Sequence, residues 1–136
     1  MLIQKLNQTI AILNELIKIT DEDIKNIKQA KHEEVFKNTK LKEELAKNFS
    51  VLKSEIDSIL VARNRPIESI FSPEEEILFN EFKEKLNIFY KKHKLFSRLA
   101  LSVANFYNTL VNKIKQEEQI SYTEKANFNS NLSLRA

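Results

Sequence analysis

The sequence predicts an all-α protein, either a long antiparallel helical hairpin or an elongated helical bundle, with a mobile C-terminal tail. The chain of 136 residues contains no glycine and two prolines, whereas about nine or ten glycines are expected at average usage. Its apolar residues recur at steps of three and four over two long segments, which is the spacing of one helix face. With 42% hydrophobic and 30% charged residues, we expect a single elongated helical domain over residues 1–120.

The first predicted helix covers residues 2–62. One apolar row advances in steps of seven through Ile3, Ile10 and Ile17 and resumes at Leu45. This pattern places an apolar stripe against a partner helix. Polar residues interrupt the row near the middle of the segment, so we expect thinner packing there. The interrupting residues are Lys31, Glu34 and Asn38.

A polar pair in the first segment leaves two interpretations open. Thr20 followed by Asp23 has the spacing of a helix N-terminal capping signal. The pair either breaks the segment into a short arm and a long rod, or forms a polar patch exposed on one continuous helix. We predict the continuous helix.

A break in the helical pattern follows at residues 63–72. Pro66 removes a backbone donor and disfavours helix at the residue before it. The start of the next helix is strongly marked, because Ser72 can cap it and Pro73 suits its first position. Glu75 completes the spacing of a capping box with Ser72.

The second helix is expected over about residues 73–119, and it should fold back antiparallel on the first because the connection is short. Its apolar stripe advances only by threes and fours. Residues 121–136 lack this periodicity and are rich in asparagine and serine, so we expect a flexible tail. The stripe consists of Leu78, Phe82, Leu86, Phe89, His93, Phe96, Ala100, Val103, Tyr107, Leu110 and Ile114.

The composition excludes most catalytic chemistry. Without cysteine the chain has no disulfide, thiolate metal site or cysteine nucleophile, and without glycine it has no phosphate-binding loop or nucleophile elbow. Its two histidines, His32 and His93, lack the spacings of zinc and di-iron motifs. We therefore expect no catalytic residue, no metal, no cofactor and no enzyme activity, with His93 a partly buried structural residue on the stripe.

The net charge, the length of the apolar runs and the first residues of the sequence give three further expectations. A net charge of +3 from 22 basic and 19 acidic residues is too weak to indicate nucleic-acid binding. No apolar run is long enough to span a membrane, so we expect no stable membrane insertion. Residues 1–6 start directly with amphipathic periodicity rather than a signal peptide, and a cytoplasmic location is expected.

One feature of the second helix points to a binding site. Toward its end, apolar residues spread around most of the helix circumference. A helix that is apolar nearly all round must be buried on several sides, so a third helix, a second copy or a partner protein should cover it. The candidate binding residues are Leu95, Leu99, Val103, Phe106, Tyr107, Leu110, Val111 and Ile114.

Several segments follow one another in an order known from one family. A leading leucine-rich run is followed by a long charged rod to Arg63, a second helix from Phe82 to Leu110, and a polar tail containing Tyr122. In size, two-helix plan, wide apolar end and tail, the chain resembles the FlgN family of bacterial flagellar export chaperones for hook–filament junction proteins. In the first helix the resemblance rests on Leu13, Asn14, Glu15, Leu16, Asp23, Ile24, Ile27, Lys31 and Leu41.

The resemblance implies binding rather than catalysis. Members of the family hold the C-terminal amphipathic segments of their clients, prevent premature assembly and bring the clients to the export gate. By this resemblance a client helix lies on the apolar end of the second helix, Tyr122 contacts the export gate, and the chain forms at most a weak homodimer. The alternative is a structural coiled-coil protein that self-associates through the same stripe.

Overall fold

The computed structural model describes the backbone of residues 1–135 and the side chains of residues 1–119. Within this part the chain forms three helices and no strand: α1 (Leu2–Lys28), α2 (His32–Arg63) and α3 (Pro73–Arg135). The predicted all-α class is therefore confirmed. The side chains of the predicted mobile tail, including Tyr122, lie outside the described residues.

The chain divides into two units, Met1–Leu99 and Ala100–Ala136, so the residues predicted as one domain are divided between them. The first unit contains α1, α2 and the beginning of α3. α3 is also longer than predicted, since its backbone stays helical past residue 119 to Arg135. Neither glycine nor a second proline stands within α3 to give a stop signal.

The prediction of one continuous helix over residues 2–62 is wrong, because the chain turns at Gln29–Lys31. The N–H of Lys31 donates to the carbonyl of Asn26 at 2.8 Å, and that of Ala30 donates to Ile27 at 3.0 Å. These are the two bonds of a Schellman motif. Ala30 takes the left-handed conformation, with φ of 59°, where glycine is usual.

The polar pair in α1 corresponds to neither of its two interpretations. α1 passes unbroken through Thr20 and Asp23, so the pair does not end a helix. Both side chains are nevertheless buried, so they do not form an exposed patch either. The actual break lies near Lys31, where the apolar row is interrupted.

Ion pairs between distant residues define how α1 and α2 pack. Lys5 near the start of α1 pairs with Glu55 late in α2, while Asp23 late in α1 pairs with Lys42 in the first half of α2. This order shows that the two helices are antiparallel.

The beginning of α3 packs on the same hairpin. Arg63 at the end of α2 pairs with Glu75 at the start of α3, and the ammonium of Lys42 lies over the Phe96 ring, so α2 and α3 are antiparallel. The first unit is therefore an up-down-up arrangement of three helices. Of the two predicted forms, it is therefore a helical bundle rather than a hairpin of two long helices.

The core of the first unit is built mainly by α1. Most of the fully buried apolar residues lie on α1, whereas α2 contributes Ile56 and α3 contributes Phe82. Phe82 stacks with Phe49 at 6.1 Å between ring centroids and packs against Phe79 at 5.9 Å. α1 is thus the central helix, because α2 and α3 both bury their apolar stripes against it. The core residues of α1 are Leu2, Leu6, Ile10, Leu13, Leu16, Ile19 and Ile27.

A buried polar cluster joins α1 to α2. The Asp23 side chain, 1% exposed, accepts a hydrogen bond from Nδ2 of Asn38 at 2.9 Å and one from Nζ of Lys42 at 2.8 Å. Buried carboxylates require such partners, because removal of a charge from water costs several kcal/mol. The cluster holds the two helices in one register.

The connection between α2 and α3 is held by the ion pair of Arg63 with Glu75. Arg63 donates two hydrogen bonds to the Glu75 carboxylate, both at 2.7 Å, and a third to the carbonyl of Ile70. The predicted capping box is present, with the Ser72 N–H donating to Glu75 and the Glu75 N–H donating to the Ser72 hydroxyl. Hydrogen bonds from Arg63, followed by those from Ser72, lower the pKa of Glu75 to about 2.

Candidate functional site

The second unit presents an apolar face on α3 over residues 103–114. At about 100° per residue, its members fall within an arc of roughly 140° on one side of the helix. Phe106 is 65% exposed and Leu110 is 43% exposed, so most of this face is open to solvent, while Val103 at its beginning is partly buried. We call it the α3 apolar face. It consists of Val103, Phe106, Tyr107, Leu110, Val111 and Ile114.

The predicted binding residues are thus only partly brought together. The six members of the α3 apolar face lie on one side of one helix, with the Phe106 and Tyr107 rings in edge contact at 5.9 Å. The other two, Leu95 and Leu99, belong to the first unit. There Leu95 is exposed and Leu99 is partly buried.

The sequence around this face carries a signal that periodicity alone does not show. Residues 99–112 contain no charged residue, although charged residues make up 30% of the chain. Exposed helix surfaces of soluble proteins usually carry charges of both signs. An uncharged segment with a large exposed apolar face is typical of a protein interaction site.

Leu101 shows that exposure alone does not define the site. Its side chain is 62% exposed, but it lies on the opposite side of α3 from the α3 apolar face, about 150° from the centre of the face. Isolated apolar side chains on a surface are common and need no partner. Leu101 therefore serves as a matched control for residues of the face.

Histidine, aspartate and glutamate side chains do not cluster into a metal site in the described part of the chain. His93 lies on the stripe of α3, between the rings of Phe89 and Phe96 at 5.6 and 6.4 Å. The residue is exposed rather than partly buried as predicted, although its ring is partly removed from water. Burial, and then the nearby charge of Lys42, lower the pKa of His93 below its ordinary value.

None of the described helices combines the length and apolar content needed to cross a membrane. Comparison of the chain with protein-family models, curated proteins and solved structures finds no match. The geometry of the α3 apolar face and the composition around it are therefore the basis for a functional proposal.

Proposed function

We propose that the protein is a cytoplasmic export chaperone of the flagellar type III secretion system. In this role it binds the C-terminal amphipathic segments of hook–filament junction proteins and delivers them to the export gate. The observation that carries the proposal is the α3 apolar face, exposed within an uncharged stretch of helix. The sequence resemblance to the FlgN family supports the identity of the client.

The mode of binding follows from the shape of the face. A client helix with apolar residues at i, i+3, i+4 and i+7 would lie along α3 and cover Phe106, Leu110 and Ile114. Full burial of one such side chain stabilises the complex by about 1.5–3 kcal/mol. The same residues of the client drive its assembly into the filament junction, so their burial on the chaperone prevents premature assembly.

Replacement of Phe106 by aspartate tests the proposal. We expect the variant to bind a C-terminal peptide of a junction protein about 30-fold or more weakly, because a charge at a desolvated centre costs at least about 2 kcal/mol. Isothermal titration calorimetry measures this affinity, and circular dichroism checks that the variant stays helical. The control is Leu101→Asp, which adds the same charge on the opposite side of α3 and should leave the affinity within about threefold. Equal affinities for both variants would contradict the proposed face.

The tail has a separate part in the proposal. Tyr122 docks to the export gate, and the entropy cost of fixing its side chain is met at binding. In the alternative, the aromatic residues of the tail only cap the helical hairpin.

Deletion of residues 121–136 distinguishes these roles. We expect the truncated protein to keep its melting temperature and client affinity but to lose binding to the gate and client export. Pull-down with gate components and a secretion assay provide the readouts, and Tyr122→Ala in the full chain is the matched single-residue variant. Unchanged gate binding, or a melting temperature several degrees lower, would show that the tail does not dock.

The alternative function, self-association as a structural coiled coil, is favoured by the spacing of three and four along the α3 apolar face. It makes a different prediction for the isolated protein. A structural coiled coil is a stable dimer at all practical concentrations without a client, whereas a chaperone is a monomer or weak dimer. Light scattering coupled to size-exclusion chromatography over a range of concentrations separates the two.

A further inference from the structure

A small pocket lies where the three helices of the first unit meet. Leu16 of α1 lines it together with Lys42 and Ala46 of α2, and α3 contributes Phe89, His93 and Phe96. Its volume is about 250 Å³, which is below the range of about 300–1,000 Å³ usual for pockets that hold a small molecule or cofactor. Its importance lies in the charged groups that it brings together.

Lys42 connects all three helices at this pocket. Its ammonium donates to Oδ2 of Asp23 on α1 at 2.8 Å and lies 3.8 Å from the centroid of the Phe96 ring on α3. Asp23 also accepts a hydrogen bond from Asn38. The link from α2 to α1 thus rests on two hydrogen bonds to a carboxylate, whereas the link from Lys42 to α3 is a single cation–π contact, which is weaker.

His93 is the group at this pocket whose charge changes near neutral pH. The charged residues that face it from α2 are Lys42 and Glu43, which line the same pocket, and α1 contributes Asp23 through its ion pair with Lys42. On α3 itself the neighbours are Lys92, which pairs with Asp21, and Lys94. His93 and Glu43 both line the pocket from exposed positions, so solvent screens the attraction between them. The carboxylate of Asp23 is buried and already paired with Lys42, so it is not free to neutralise a second cation on His93.

We propose that the pocket is an acid-sensitive latch between α3 and the α1–α2 hairpin, in which protonation of His93 repels the Lys42 ammonium from Phe96 and opens the pocket. Asp23 retains Lys42 on α1, so the hairpin stays closed while α3 loosens. Opening exposes Phe89 and Phe96 to solvent. The latch is independent of the proposed chaperone function, because it lies wholly in the first unit.

The direction of the pH effect follows from the pKa of His93. His93 is exposed as a residue, but partial desolvation of its ring, and then the charge of Lys42, hold its pKa below the ordinary value of 6.5, so the neutral ring is favoured in the folded protein. The unfolded chain takes up its proton first as the pH falls through 6.5. Stability is therefore full above that pH, decreases below it, and levels off once the folded protein is also protonated.

Two measurements test the latch on the full chain. In an NMR titration, the His93 ring, identified by its absence in His93→Gln, should titrate below pH 6.5. In hydrogen exchange corrected for intrinsic rates, residues 89–96 should lose protection about tenfold between about pH 7.5 and pH 5, while α1 changes less than about twofold. His93→Gln should abolish this loss, and the control His32→Gln should retain it.

A double variant keeps the test decisive if His93→Gln does not fold. Asp23→Asn with Lys42→Met removes both charges and leaves an amide facing Asn38. Because the Lys42 charge is gone, the pKa of His93 should rise toward 6.5. The selective loss of protection at acidic pH should disappear for the same reason. The proposal is overturned if wild-type His93 titrates at or above 6.5, if His93→Gln retains the loss, or if His32→Gln abolishes it.

Discussion

Replacement of Lys42 by methionine is expected to lower the free energy of unfolding by about 3–5 kcal/mol, the usual cost of removing one partner from a buried ion pair. The Asp23 side chain is 1% exposed and would keep only the Asn38 amide as a hydrogen-bond donor. Methionine preserves most of the volume of the lysine stem, so the loss reports on charge rather than on packing. Urea unfolding followed by circular dichroism measures the change.

Two further variants show whether that loss comes from the buried charge of Asp23. The double variant Asp23→Asn with Lys42→Met should recover most of the lost stability, because no charge is left buried without a partner. Lys37→Met provides the control, since Lys37 forms an exposed pair with Glu34, and such pairs contribute about 0–1 kcal/mol. An equal loss in Lys37→Met and Lys42→Met would show that burial of the pair has no energetic importance.

Truncation of Leu13 to alanine is expected to destabilise the protein by about 2–5 kcal/mol, through the lost transfer free energy and the cavity left behind. Leu13 is fully buried on the central helix, where α2 and α3 both pack, so the surrounding helices have little freedom to collapse into the space. Thermal and urea unfolding of the variant both measure the loss.

The matched control for Leu13 is Phe36→Ala. Phe36 is 78% exposed on α2, and substitutions at such positions usually change stability by less than about 0.5 kcal/mol. Similar losses for the two variants would mean that α1 is not the core helix of the first unit. A small loss for Leu13→Ala alone would indicate that the bundle relaxes to fill the cavity.

The all-α fold class could be predicted from the sequence, because helix formation depends on local features of the chain. The steps of three and four, the missing glycines and the Ser72–Glu75 capping box all act within one turn or a few turns of chain. The start of α3 at Pro73 follows from the same local signals.

The break at Gln29–Lys31 could not be located in this way. Ala30 adopts a left-handed conformation that costs about 1–2 kcal/mol for a residue other than glycine, so no local preference marks the turn. The cost is offset by the packing of α1 against α2 and α3, which buries the core of the first unit. The polar residues near Lys31 were a sign of the interruption, but they do not distinguish a turn from an exposed stretch of helix.

The α3 apolar face could be predicted as a candidate site, since its spacing is a property of one helix. Its exposure depends on which helices lie beside it, and periodicity does not contain that information. Leu99 and Val103 illustrate this point, because both belong to the predicted set, yet they are partly buried while Phe106 is exposed. The uncharged run at residues 99–112 was available from the sequence and strengthens the same site.

The sequence by itself determined that this chain is helical, where α3 begins, and which residues form one apolar face toward its end, because short-range periodicity and capping encode these features. Only the tertiary structure decided that the first segment folds into two helices, that α1 is the central one, and that Asp23 is buried against Lys42. Asp23 and Lys42 meet only because α1 and α2 fold back on each other. Their burial depends on long-range packing, which no local pattern specifies.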